Sequence, residues 1–229
     1  MRLHRLAALP LLALTLLIVP ALALAAPPPE KRLENAVRVL DEVMQSPDRA
    51  VPKRLLEDAY AIAVIPDVVK AGLFIGGRRG RGVVSVRTPD GSWSHPAFLT
   101  LTGGSFGFQA GVQSTDVVLV FRSERGVDSI VNGKFALGAD ASVAAGPVGR
   151  NALASTDSDL RAEIYSYSRA RGLFAGVALD GAVLSIDHRA NQASYGRNTT
   201  PRAVFEGRVS VSPDQAVDFR DRLEEYTAR

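Results

Sequence analysis

All 20 glycines of this 229-residue chain lie between positions 72 and 207, and none lies in 30–69. Glycine weakens helices and marks turns, bulges and close backbone approach. The boundary therefore separates a helical lead from a β-rich body. In the lead, Leu33, Ala36, Val37, Leu40, Val43 and Met44 recur at three and four. Lys31, Arg32, Glu34, Arg38, Asp41 and Glu42 fall largely elsewhere. This spacing predicts an amphipathic helix over 30–45, ending near Ser46-Pro47. Its polar face mixes both signs, which favours packing on its own domain over lying on a membrane. A short helix over 53–58 and a strand over 60–65 follow. A last helix opens at Ser212-Pro213-Asp214-Gln215, with Ser212 as N-cap and Gln215 completing a capping box. Ala216, Phe219, Leu223 and Tyr226 form its buried stripe. The predicted fold is α+β: a glycine-rich antiparallel sheet with N-terminal amphipathic helices and a C-terminal helix.

The first residues read as a targeting segment. Arg2 and Arg5 precede an apolar run over 6–19, Pro20 breaks it, and Ala23-Leu24-Ala25 supplies a cleavage site. Residues 1–25 are thus expected to be a signal peptide, 26–29 a proline-rich linker and 30–229 one domain. The expected location is periplasmic. The alternative is an N-terminal membrane anchor, since 6–26 is nominally long enough to span a bilayer. The chain has no Cys, which excludes disulfides, thiolate chemistry and cysteine lipidation. Without residues 1–25 it carries 25 basic and 24 acidic residues, so bulk attraction to nucleic acid is not supported. Two histidines beyond the leader, His95 and His188, leave no metal-ligand spacing, and neither metal nor cofactor is expected.

Gly103-Gly104-Ser105-Phe106-Gly107 matches the G-x-S-x-G of a serine-hydrolase elbow. An elbow needs a helix directly after the serine. Here Phe106, Phe108, Ala110 and Val112 alternate with Ser105, Gly107, Gln109 and Gly111, the period of a strand. The alternation predicts a strand over 104–113, a turn at Asp116 and a second strand over 117–121. A hydrolase built on Ser105 is the remote alternative, and no catalytic residue is assigned.

Residues 72–86 align without gaps to 172–186, with six identities in 15 positions. Both read as hairpins. The second turn, Ala178-Leu179-Asp180-Gly181, carries no basic residue; the first, Gly77-Arg78-Arg79-Gly80-Arg81-Gly82, carries three arginines. Guanidinium groups interleaved with backbone N–H groups suit a phosphate or other oxyanion. Arg78, Arg79 and Arg81, with Lys70 nearby and Arg169 and Arg171 before the second copy, form the candidate anion-binding set. The other reading is that these arginines are simply solvated.

Several ordered stretches together resemble the SYLF domain family, also described as the Ysc84-type actin-binding domain. They are Lys70-Ala-Gly-Leu-Phe74, Gly80-Arg-Gly-Val-Val84, Gly103-Gly-Ser-Phe-Gly-Phe-Gln-Ala-Gly111, Ser114-Thr-Asp-Val-Val118, Leu137-Gly-Ala-Asp140, Ala145-Gly-Pro-Val-Gly-Arg150 and Tyr165-Ser-Tyr-Ser-Arg-Ala-Arg-Gly-Leu-Phe-Ala-Gly176. The resemblance implies a non-catalytic module that binds anionic lipid, with phosphoinositides as the ligand in eukaryotic members. It also implies actin binding in some members. This chain resembles an exported bacterial-type member, for which actin is an unlikely partner. The alternative is a structural or protein-interaction domain of the cell envelope. Oligomeric state is left open by the sequence. Intact-mass measurement of the exported protein is expected to show residues 1–25 removed; a retained N-terminus would point to the anchored form.

Overall fold

Two long strands organise the molecule. β1 (Ala61–Gly72) and β2 (Ile75–Val86) pair antiparallel at the centre of the sheet. The structure is a computed structural model and describes residues 27–46, 50–72, 75–106, 111–148, 161–170, 179 and 181–228. The segments 1–25, 107–110 and 172–178, for which expectations were stated, lie wholly outside the described residues. The other strands are β3 (Ala97–Phe106), β4 (Gly111–Phe121), β5 (Lys134–Ala136), β6 (Val143–Ala145), β7 (Ile164–Ala170) and β8 (Val183–Ile186). They form one sheet in the order β5-β8-β3-β2-β1-β4-β7-β6. Neighbours run antiparallel except β6 and β7, which are parallel.

The described helices are α1 (Pro29–Met44), α2 (Lys53–Glu57), α3 (Glu124–Asn132), α4 (His188–Tyr195), α5 (Pro201–Phe205) and α6 (Asp214–Thr227). α1 lies on one face of the sheet with Leu33, Ala36, Val39 and Leu40 fully buried. α6 packs beside it, where the Tyr226 hydroxyl donates to Asp41 at 2.8 Å. On the opposite face α3 closes over the sheet. There the Phe121 and Phe135 rings meet at 6.5 Å between centroids, and a Cβ at Gly126 would lie 2.9 Å from Phe121. Among the described residues no helix is long and apolar enough to cross a membrane.

The basic segment is a strand, which corrects the expected turn. Residues 77–82 lie inside β2, paired to β1 on one side and β3 on the other. β1 carries a bulge between Val64 and Val69. Asp67 there adopts φ 49°, and its N–H donates to Asp116 Oδ1 at 3.0 Å. Aspartate tolerates this left-handed backbone better than most residues. The bulge presses on β2: a Cβ on Gly82 would lie 2.2 Å from the Val64 carbonyl oxygen, and one on Gly80 would lie 2.7 Å from Ile65 Cγ2. The glycine–arginine alternation is therefore the period of a strand. Gly80 and Gly82 admit the bulge; Arg79 and Arg81 take the other face.

Other expectations change with it. β1 extends past 65 to Gly72. The alternation over 104–113 straddles the end of β3 and the start of β4, and β4 runs straight through Asp116. That aspartate is 2% exposed and accepts the bulge amide, so it marks a bulge partner and not a turn. The two echoed segments differ in shape. β2 is one strand through 75–86, whereas β8 follows a turn with Gly181 at φ 72°. Pro29 already belongs to α1, which shortens the linker. Pro213, not Ser212, occupies the N-cap of α6, with no side-chain cap; the Ser212 hydroxyl lies 3.3 Å from His95 Nδ1. α4 and α5, missed in the sequence, are capped by Asp187 and Thr200, whose side chains accept from the Ala190 and Ala203 amides.

The bulge yields a contrast between glycines. Gly82→Ala should destabilise the protein by about 3 kcal/mol through overpacking against backbone. Gly104→Ala, with nothing within 4 Å of its added Cβ, should stay within about 0.5 kcal/mol of wild type. Urea unfolding midpoints measure both.

Candidate functional site

Strand alternation divides the six candidate cations between two faces. Lys70 and Arg78 are direct cross-strand partners and share the face opposite α1. There the Arg78 guanidinium donates to the Gly104 carbonyl at 3.3 Å. Arg79 and Arg81 point to the α1 face, as does Arg169 of β7, which forms an ion pair with Glu42 of α1. Arg171 lies outside the described residues. The structure thus brings Arg79, Arg81 and Arg169 to one side and places Lys70 and Arg78 on the other.

Beyond the edge of α1 no described residue covers the sheet face. It presents Val69 at 40% exposure, exposed Ala71, Gly77 and Gly104, and the rungs Arg79–Thr102 and Arg81–Thr100. A Cβ on Gly77 would meet only the Gly103 carbonyl oxygen, at 3.9 Å, so the surface is flat. Alternate residues on a strand stand about 7 Å apart, which sets the separation of the two arginines. Arg79 is exposed and enters no ion pair among the described residues. Arg169 differs: Glu42 neutralises it and also accepts from Arg38 at 3.0 Å. The shelf therefore has an active cationic centre at Arg79 and Arg81 and a compensated flank at Arg38, Glu42 and Arg169.

One buried arginine sets the position of α1 and so the edge of the shelf. Arg32, in the first turn of α1, is 3% exposed. It donates to Asp187 at 2.7 Å and to the carbonyls of Gly82 and Leu99 at 3.1 and 2.8 Å, and stacks over the Phe98 ring at 5.0 Å. Burial lowers the Arg32 pKa; the hydrogen bond and charge of Asp187 oppose this, and the charge of Arg81 adds to it. For Asp187, burial works to raise the pKa. The Arg32 hydrogen bond, the Ala190 amide and the charges of Arg32 and Arg81 outweigh it and hold the carboxyl below its ordinary value. Asp187 therefore also tempers the field at Arg81. Sequence reasoning missed Asp187, Glu42 and the two threonines. Asp187 before a helix was a readable cap; the partnership with Arg32, 155 positions away, had no local signal.

Ser105 lies on β3, and the residues that follow it to Phe106 continue the strand. A nucleophile elbow is therefore absent at this position. Among the described residues no group of three or more potential metal ligands assembles.

The family model described as "Ysc84: Las17-binding protein actin regulator" matches residues 102–226. Protein YSC84 of Saccharomyces cerevisiae is 38% identical over 169 residues, covering 72% of this chain and 36% of its own length. LAS seventeen-binding protein 3 of the same yeast is 36% identical over 184 residues, covering 79% and 39%. The human SH3 domain-containing YSC84-like protein 1 is 31% identical over 202 residues, covering 87% and 58%. The chain thus spans between 36% and 58% of the length of these relatives.

The Arg32 latch has a pH signature. Asp187→Asn should lower stability by about 3 kcal/mol at pH 7, because it leaves a buried guanidinium without its counter-charge. The folded pKa of Asp187 is depressed, so its contribution is fully present above the unfolded value of about 3.9 and disappears as pH falls through the folded value. The gap between wild type and variant, measured by urea unfolding, should narrow as pH is lowered from 6 to below 4.

Proposed function

The chain belongs to the Ysc84 family, and from that premise we propose that it is a non-catalytic binding domain whose bare sheet shelf docks on an anionic membrane surface. One observation carries the reading: exposed Arg79 and half-buried Arg81 stand side by side on a flat sheet face with exposed Val69 beside them. An exposed guanidinium near an anionic bilayer contributes on the order of 1 kcal/mol, within a Debye length of about 10 Å. A flat face lets both reach the surface together. The proposed setting is the lipid of the cell envelope, following export.

α1 is the rival membrane element. Its residues Leu33, Ala36, Val39 and Leu40 are fully buried, and lifting it off would strand the charge of Arg32. The shelf needs no such rearrangement. A second reading is a protein partner with an acidic face. It is favoured by the description of the family as Las17-binding and by the relatives' names. The same two arginines would serve it.

The test is co-sedimentation with phosphatidylcholine vesicles, with and without phosphatidylglycerol, over a salt series. Arg79→Ser with Arg81→Ser should weaken binding to the acidic vesicles about 30-fold at low salt and flatten the salt dependence. Lys70→Ser with Arg78→Ser, on the other face, should change it less than about threefold. Equal binding by wild type and the first variant would reject the shelf. No binding to acidic vesicles by wild type would leave the protein-partner reading in its place.

A further inference from the structure

At the end of the sheet remote from the shelf, a cleft of about 650 Å³ opens between α3, α5, the β2–β3 connection and α6. Ligand clefts typically measure about 300–1,000 Å³ and combine an apolar floor with a few polar groups. Here the floor comes from separate elements: Val86 of β2, Trp93 of the connection, Val127 and Val131 of α3, and Phe205 of α5.

Most of the charged groups around this floor are held by ion pairs or hydrogen bonds within the chain. Arg202 pairs with Asp128 at 3.0 Å, and Arg220 with Asp221 at 3.0 Å. Arg87 stacks over Trp93 at 4.5 Å and gives its N–H groups to the carbonyls of Leu56, Ala59 and Gly91. Asp90 accepts from Ser92, and Glu206 accepts from Arg208 at 2.6 Å. A charged ligand would have to break one of these pairs or be desolvated without a counter-charge. An uncharged one meets an apolar surface and neutral hydrogen-bonding groups.

We propose that this cleft is a binding site for a small uncharged ligand with an apolar body and hydrogen-bonding groups. His95 and Tyr60 both line it. Burial and the charge of Arg220 hold the His95 pKa below its ordinary value, so the ring is neutral at pH 7. Its Nδ1 faces the Ser212 hydroxyl, leaving Nε2 for a ligand. Burial and the neighbouring carboxylates raise the Tyr60 pKa, so the phenol keeps its proton. The site is independent of the lipid reading, since none of its residues belongs to the shelf.

Trp93 is the single tryptophan of the chain, which makes the test direct. The uncharged naphthalene dye Prodan is titrated into the full-length protein while energy transfer from Trp93 is followed. Saturable binding at one dye per chain, with transfer, is expected. The anionic dye 1-anilinonaphthalene-8-sulfonate should bind at least about tenfold more weakly. Val131→Phe, which fills the cleft, should weaken Prodan at least about tenfold, and Phe205→Ala, which removes part of the floor, should do so if the first variant does not fold. Arg79→Ser with Arg81→Ser should leave dye binding unchanged. The proposal is overturned by wild-type affinity in a folded cleft variant, by dye binding without transfer from Trp93, or by equal affinity for the anionic dye.

Discussion

Arg32 ties together four parts of the chain. Its guanidinium reaches α1, β2, β3 and the cap of α4 at once, through Gly82, Leu99 and Asp187, with Phe98 beneath it. A charge buried this deeply is tolerated only when it is paired and hydrogen-bonded. Here the accounting is nearly complete; Nε alone is buried without an acceptor. The geometry needs α1 in one register, because a shift by one residue would turn the guanidinium away from both carbonyls. Burial of Leu33, Ala36, Val39 and Leu40 supplies the larger attraction, but apolar contact is indifferent to small slides. The ion pair supplies the direction.

The bulge in β1 is the second fixed point. It bends the central strand over β2, which only glycine at 80 and 82 admits. Asp116 holds it from the neighbouring strand by accepting the Asp67 amide. The molecule is thus fastened by Arg32 and shaped by the bulge, which both bear on Gly82, and no described residue covers the sheet beyond α1. Shelf and cleft sit at opposite ends of the same strands, so one can be occupied without contact with the other.

Much of this was legible in the sequence, and the limits have physical causes. The amphipathic stripe of 33–44 gave α1, because helical periodicity is local. The fold class followed from the abrupt onset of glycine at 72. The family resemblance, carried by ordered short stretches, agreed with the match over 102–226. The basic segment was misread because glycine is ambiguous: it serves turns through its backbone freedom and strands through its lack of a side chain. Only the position of the β1 bulge decides between these, and that bulge rests on a contact between Asp67 and Asp116, 49 positions apart. The same holds for the site. That arginines cluster at 78–81 is local; that Arg78 and Arg79 belong to opposite faces depends on pairing. The cleft was invisible, since its floor is drawn from residues 86 to 205.

The alternation within β2 separates two kinds of constraint along four consecutive residues. Positions 80 and 82 answer to the backbone of β1 and admit no side chain. Position 79 faces outward and is exposed, whereas the half-buried Arg81 lies close enough for its charge to act on Arg32 and Asp187. Sequence change at position 79 can therefore rewrite the surface charge there without reaching the latch, whereas change at 81 also alters the field on Arg32 and Asp187. A chain built on this scaffold can thus vary its surface charge at position 79 while the glycines at 80 and 82 stay fixed beneath the bulge.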